Sequence, residues 1–533
     1  MQSGFFALHS RTDPMTSATR RTFTKGLAAS TALAATGLPA VAQPARRLTV
    51  GIQGTPRSLE PLREFSNVAW RVGYNIFEGL LGIDYKNGLA VVPGLAESHR
   101  RISPSMMEFT LKDGVRFHDG EIMTSEDVAF SFGPERMTGE RAPGRAIANV
   151  FVGTISRVEA IDRRTVRVVT RTTDPLLEQR LAGWGAQVIS KKAFLAAASY
   201  EAWERSPVGT GPFRVKEFRI DERCLLEAHA GYHGGKPPVG EVLFRVLPEL
   251  AARMNALAAG EADIVTEVSL DQVRNVEAMT DRHVVGGPIL NFRALVFDKA
   301  HPQLVDPRVR RALSHAIDRK AIVDSLYAGR TVARATQMHP AFGALNDPTR
   351  PGTAYDPDLA RKLLAEAGYK GQPIPYRTHA SYYTQQVQTA QILVEMWRQV
   401  GINVDLQVRE NWQQIFDTAS PRGIRDWSNS ILFQDPVGSL TRLYGAAGSV
   451  QNVSKEWSNA PFNETARVLE TSLDLAERKR AFARLLDIYE TEDPPGCALH
   501  DLVMFYAKKR SVNWTPYPVE SMDFGPGNLT VGA

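Results

Sequence analysis

The chain has 533 residues, with 63 Lys and Arg against 58 Asp and Glu, and 43% of its residues are hydrophobic. That length exceeds what one hydrophobic core usually serves, so two or three domains are expected. Setting aside residues 1–42, with Arg11, Arg20, Arg21 and Lys25 against Asp13, leaves 59 basic and 57 acidic residues, a balance that gives no support to nucleic acid or an anionic membrane as partner.

In chain order, the first signal is Thr19-Arg20-Arg21-Thr22-Phe23-Thr24-Lys25, followed by an Ala-rich run that closes on Ala40-Val41-Ala42. Paired arginines, a short apolar stretch and small residues at the cleavage positions make residues 1–42 a twin-arginine export leader, cleaved near Ala42. The apolar run is too short, and too rich in Ala, Thr and Ser, to span a bilayer. The compartment this implies is the periplasm.

Val50-Gly51-Ile52 reads as a short strand ending at Gly54-Thr55-Pro56. Met107 to Phe117 alternates apolar and polar residues on both sides of Asp113-Gly114, which predicts two strands paired around that turn. Asp119-Gly120 is a second turn, and Thr124-Ser125-Glu126-Asp127 offers a cap and first-turn acids for a helix starting near Val128. Thr165 to Thr170 is a further strand. Gly209-Thr210-Gly211-Pro212 is glycine-rich, but Pro212 stands where a phosphate cradle needs an N–H donor, so a tight connection is expected there. His229 and His233 are four apart, and Gly231, Gly234 and Gly235 argue for a loop rather than a metal-binding helix.

After about residue 300 the pattern turns helical. Pro307 to Tyr327 has a helical apolar spacing broken near Asp318, and Asp356-Pro357 caps Asp358 to Ala367, which Gly368 terminates. Thr384 to Val400 is a long amphipathic helix stopped by Gly401, and Ile402 to Val408 alternates as a strand. Helices alternating with strands give an α/β class. Trp412, Trp427 and Phe433 fall close together ahead of Asp435-Pro436, aromatics in a turn-rich segment that can wall a ligand cleft or simply pack beneath a loop. Cys224 and Cys497 can pair in an oxidising compartment or stay as two buried thiols. There is no G-x-S-x-G elbow, P-loop or H-E-x-x-H, so no catalytic constellation, metal site or cofactor is expected.

Several of these segments resemble, in order and spacing, the family 5 extracellular solute-binding proteins of ABC importers. They include PGLAES at 93–98, LKDGVRFHDG at 111–120, TSEDV at 124–128 and PVGTGPF at 207–213. YHGGKP at 232–237 belongs to the series with His233 in place of the usual Trp, and RMNALAAGEADIV at 253–265, DPRVRRALSHAIDR at 306–319 and Asp435-Pro436 continue it.

The resemblance implies a periplasmic binding protein clamshell: two α/β lobes with a hinge plus a smaller inserted domain. The first lobe would use 43–80, 210–295 and 495–533, the inserted domain 81–209, and the second lobe 296–494. It also implies capture of a small peptide or peptide-like solute, without chemistry, by a monomer that serves a membrane permease and its ATPase. Nickel-chelate or haem capture, with His339 and His379 as candidate groups, is an alternative within the family. A chemoreceptor adaptor is another, and a secreted hydrolase is disfavoured by the missing motifs.

Peptide-binding members of the family hold an α-ammonium with an Asp three residues before the acid-Pro pair. Here that position is Leu432, which cannot pair with an ammonium. By the same alignment Thr55 and Arg57 face the cleft from the first lobe, and Tyr382 and Tyr383 from the second. Arg57, Arg422 and Arg425 are candidate anchors for a carboxylate or phosphate. Trp427 and Phe433 are the first choice as cleft walls, with Trp412 and Asp435 beside them.

Overall fold

The computed structural model describes residues 46–532; the leader positions Arg20, Arg21 and Ala42 lie outside the described residues. A ten-stranded mixed sheet organises the chain. In chain order its strands are β1 (Arg47–Ile52), β2 (Phe213–Arg219), β3 (Arg223–Ala228), β4 (Glu241–Val246), β5 (Ile264–Val265), β6 (Arg282–Phe297), β7 (Ile374–His379), β8 (Val404–Arg409), β9 (Ile424–Ser430) and β10 (Gly496–Lys509). Across the sheet they run β8-β7-β9-β6-β10-β5-β1-β4-β3-β2. A first wing (β1 to β5) and a second wing (β7 to β9) are therefore joined by two long antiparallel strands, β6 and β10.

Each wing has its own core. Val50, Ile52, Leu226, Phe244 and Trp514 cluster in the first, and Leu295, Leu313, Leu363, Leu393, Trp397 and Ile424 in the second. Between the wings the β6–β10 register is interrupted from Pro288 to Phe292. Pro288 cannot donate to the ladder, so the two strands are least tied together where they pass between cores. Gly286 just before it has φ +108, and a side chain there would run into the Met504 carbonyl.

Helix ends follow the sequence signals closely. Asp306 caps Pro307–His315, Asp318 caps Arg319–Tyr327 and Asp356 caps Pro357–Ala367, each through a side-chain oxygen accepting a first-turn N–H. Gly368 and Gly401 close their helices with φ of +69 and +90. The helix after Thr124 begins at Ser125 with a capping box to Asp127. Gly209 and Gly211 do form a tight connection, where a Cβ on either would strike the Ile76 backbone.

One expectation is corrected. Met106–Leu111 does not pair across Asp113-Gly114; it lies between Ala96–Ser103 and Thr165–Thr170 in a separate four-stranded antiparallel sheet. Gly114 and Gly120 are turns at φ +69 and +88, but Phe117 turns back only onto Glu121. This smaller sheet shares a third core, through Phe151, Trp184 and Phe433, with the helices Ala460–Thr471 and Leu475–Asp487.

Cys224 in β3 and Cys497 in β10 are both free and buried, and they belong to different cores. Burial pushes both thiols up.

Candidate functional site

A cavity of about 260 Å3 opens between the helix Asn67–Gly73, the two-stranded hairpin of Leu81–Asp84 and Ala90–Pro93, the segment 179–187, the C-terminal segment 521–523 and the loop after β9. Trp70 and Tyr74 reach it from the helix Asn67–Gly73 and its end, and Trp184 from just beyond the helix Leu177–Ala182. Leu432 and Gln434 enter from the loop after β9, in the second wing. Trp70 and Trp184 stack with centroids 5.7 Å apart.

Two carboxylates, Glu78 and Asp523, belong to the lining, and no Lys or Arg does. Asp523 accepts from Tyr517 Oη at 2.7 Å and from the Gly525 N–H at 2.7 Å. Burial nevertheless holds its carboxyl above the usual carboxylate range. Glu78 Oε1 accepts from Tyr232 Oη at 3.2 Å, and His233 Nε2 lies 3.0 Å from Glu78 Oε2. Burial, with Asp523 next in weight, pushes the Tyr74 phenol well up, so it faces the cavity as a neutral donor.

Asn75 is what brings the far end of the chain here. Its Nδ2 donates to the Met522 carbonyl at 2.8 Å and its Oδ1 accepts the Phe524 N–H at 3.0 Å, which pins Asp523 between them.

Beside the cavity, Arg71 is fully buried and pairs with Glu267, while its Nη1 donates to Gln53 Oε1 at 2.8 Å. Glu267 has φ +56, a left-handed conformation that a non-glycine side chain adopts at a cost. Glu520 lies close enough to raise the phenols of both Tyr85 and Tyr382, in each case after the larger effect of burial. Its charge thus reaches side chains from two regions of the chain.

Of the residues singled out from sequence, four come together. Tyr382, Tyr383, Trp412 and Trp427 form one aromatic cluster, with Tyr382–Trp412 centroids 5.0 Å apart and Trp412–Trp427 centroids 5.2 Å apart. Arg293 stacks over Tyr383 at 4.6 Å and donates to Asp426 at 2.6 Å. Asp426 also accepts from Tyr376 at 2.8 Å and Gln386 at 3.0 Å, which fixes the strand carrying Trp427. Leu432 lines the cavity itself.

The others are placed elsewhere. Phe433 is packed in the third core, edge-on to Phe151 at 6.4 Å and under Arg180 at 4.9 Å. Asp435 is buried against Arg478 at 2.7 Å. Thr55 accepts the Asp221 N–H, and Arg57 has a side chain 78% exposed whose nearest acid is Asp221 at 3.9 Å.

Arg425 is clamped by Glu456 and lies over Phe416 and Trp427, while Arg422 donates to Asp298 at 2.9 Å. Neither guanidinium is free to anchor a ligand carboxylate. His339 caps the turn starting at Pro340, and its ring is held near pKa 3 by burial. His379 packs on Tyr382 and Trp412.

Glu78, Asp523, Trp70, Tyr74 and Trp184 were not singled out from sequence. Only Glu78 had a legible neighbour, since its partner His233 marks a departure from the family pattern.

Two lobes that share a pair of crossing strands and meet at a cavity define a clamshell solute-binding protein. The family model "Bacterial extracellular solute-binding proteins, family 5 Middle" matches residues 90–451. The chain belongs to this family. It is 26% identical over 483 residues to the dipeptide-binding protein of Escherichia coli K12, covering 83% of this chain and 87% of that one. It is 25% identical over 452 residues to heme-binding protein A of Haemophilus influenzae, covering 77% and 79%. The structure of a dipeptide-binding protein from Pseudoalteromonas sp. SM9913 in complex with Met-Leu superposes with a TM-score of 0.77 at 22% identity, over 91% of this chain and 100% of that one.

Proposed function

We propose that this protein is the extracytoplasmic solute-binding component of an ABC importer. It takes a small peptide or peptide-like solute into the cleft, encloses it by hinge closure and delivers it to a membrane permease coupled to an ATPase. It carries out no covalent step and acts as a monomer, exported by the twin-arginine route with cleavage near Ala42.

The observation that carries this reading is the cavity itself, whose walls come from both wings. A solute that touches both is bound best in the closed state, and that differential contact is what drives closure. Moving an equilibrium from 1:99 to 99:1 takes about 5.5 kcal/mol of such difference. The kinship with a dipeptide-binding protein supports the peptide class.

In this reading 43–80, 210–295 and 495–533 form the first lobe, 81–209 the inserted domain and 296–494 the second lobe. The register break at Pro288 to Phe292 supports a hinge slightly before position 296. The ligand-contacting set is Leu432 in the cavity with Tyr382, Tyr383, Trp412 and Trp427 as an adjoining wall. Leu432 argues against a free α-ammonium being read at that position, because an unpaired charge there would cost several kcal/mol.

The test is thermal unfolding of the mature protein with di- and tripeptides, glutathione, amino-acid conjugates, oligosaccharides, nickel-histidine and haem. Ligand at about a hundred times its dissociation constant stabilises by about 2.7 kcal/mol, which raises the transition by roughly a few degrees. Shifts with peptides or peptide conjugates support the reading. Shifts with nickel-histidine, haem or oligosaccharides alone would sink the peptide class.

A further inference from the structure

The cavity has an electrostatic character that the family assignment does not specify. Its lining holds Glu78 and Asp523 and no basic side chain. Lys86 is near enough to favour the charged form of Asp523, but its Nζ donates to the Gly527 carbonyl at 2.9 Å and it is not part of the lining. Aromatic rings surround the acids: the stacked Trp70 and Trp184, and Tyr74 against Tyr517 at 6.0 Å.

Three lining side chains, Trp70, Gln179 and Gln434, each carry a buried polar atom with no hydrogen-bond partner among the described residues. A buried unpartnered group is destabilising, so three around one cavity point to a binding role rather than to a packed core. Both departures from the family pattern meet here as well. Leu432 presents an apolar side chain from the second wing, and His233 stands against Glu78.

We infer that this cavity selects a solute bearing an organic cation other than a peptide's α-ammonium, whether a quaternary ammonium, a side-chain ammonium or a guanidinium, held by Asp523, with Glu78 beside it, against the faces of Trp70, Tyr74 and Trp184. An organic cation offers Asp523 an opposite charge from within the cavity, whose lining supplies none, and it is drawn to the negative faces of aromatic rings. A carboxylate placed in the same cavity would face two acids and no base. The apolar Leu432 side chain suits the methylene or methyl groups next to such a cation. The inference rests on the solute-binding reading and narrows it to one ligand chemistry.

The experiment is calorimetric titration of the mature protein with matched pairs. Choline is set against its neutral isostere 3,3-dimethylbutanol, and lysine- and arginine-containing dipeptides against their norleucine counterparts. The expected result is a preference of about tenfold or more for the cation in at least one pair. Asp523→Asn should erase that preference. Leu432→Lys, which puts a like charge in the wall, should abolish cation binding while the thermal transition stays within a few degrees of wild type, and it serves as the test if Asp523→Asn does not fold. Equal binding by the members that lack this cation, 3,3-dimethylbutanol and the norleucine dipeptides, would overturn the inference while leaving the importer reading intact. Binding by no cation at all, or a cation preference that survives both substitutions, would overturn it too.

Discussion

The second wing and the cavity handle buried charge in opposite ways. In the second wing Arg425 meets Glu456, Arg422 meets Asp298 and Arg293 meets Asp426, all of them buried. At the cavity two carboxylates share a wall with aromatic rings and no Lys or Arg. Paired charge inside a protein is costly to break, because removing one partner strands the other in a poor dielectric. Asp523, whose carboxylate burial disfavours, has no Lys or Arg beside it in the lining, and in the proposed reading a cationic ligand offsets that cost. The contrast separates residues that hold the lobe together from residues that await a solute, and it explains why Arg422 and Arg425, attractive as anchors in the sequence, are structural.

The sharpest way to break this comparison is Glu456→Ala. It leaves the buried Arg425 unpaired and weakens the surroundings of Arg422, and should destabilise the protein by about 3–5 kcal/mol in a denaturant titration. A change below about 1 kcal/mol would mean that these pairs are not what holds the second wing.

The next effect is acid lability. Burial holds His118, His339 and His500 near pKa 3, against about 6.5 in an unfolded chain. Their folded pKa values are depressed, so the unfolded state binds more protons between about pH 6.5 and 3. The stability their neutral forms contribute is present above that window and is lost as pH falls through it. Burial raises the carboxyls of Asp501, Glu520 and Asp523, which act in the opposite sense. The contribution of one histidine is therefore read as the difference between wild type and His500→Gln. The variant should lose less stability between pH 7 and 4, and parallel curves would contradict the assignment.

A smaller effect is expected from Asp523→Asn in the ligand-free protein. Removing a carboxylate that burial already disfavours should change stability by no more than about 1 kcal/mol, and toward stabilisation. A loss as large as that of Glu456→Ala would place Asp523 with the structural charges. The smallest effect is none: reducing agent should not shift gel mobility, because Cys224 and Cys497 are unpaired in separate cores.

How far the sequence could be read depended on the range of the interaction. Asp306-Pro307, Asp318, Asp356-Pro357 and Gly368 act within a few residues, and each cap or stop stands where its residue type requires. The alternation from Met107 announced a strand but named the wrong partner, because its neighbours Ala96–Ser103 and Thr165–Thr170 lie outside any local window. β6 escaped notice because Gly286-Gly287-Pro288 reads locally as a break, although it is the passage of one strand between two cores. Among the site residues, Trp412 and Trp427 were legible as aromatics in a turn-rich segment, and Leu432 through its spacing from Asp435-Pro436. Phe433, equally aromatic, went into the core.

The sequence by itself determined the family, through many short motifs in a fixed order, along with the helix boundaries and the turns. Only the tertiary structure decided which charges are paired and where the cavity lies. Asn75 holds the segment around Asp523 beside the helix that carries Trp70 and Tyr74, across more than four hundred residues of chain. Charge pairing and cavity shape depend on such long-range contacts, whose partners no local pattern specifies.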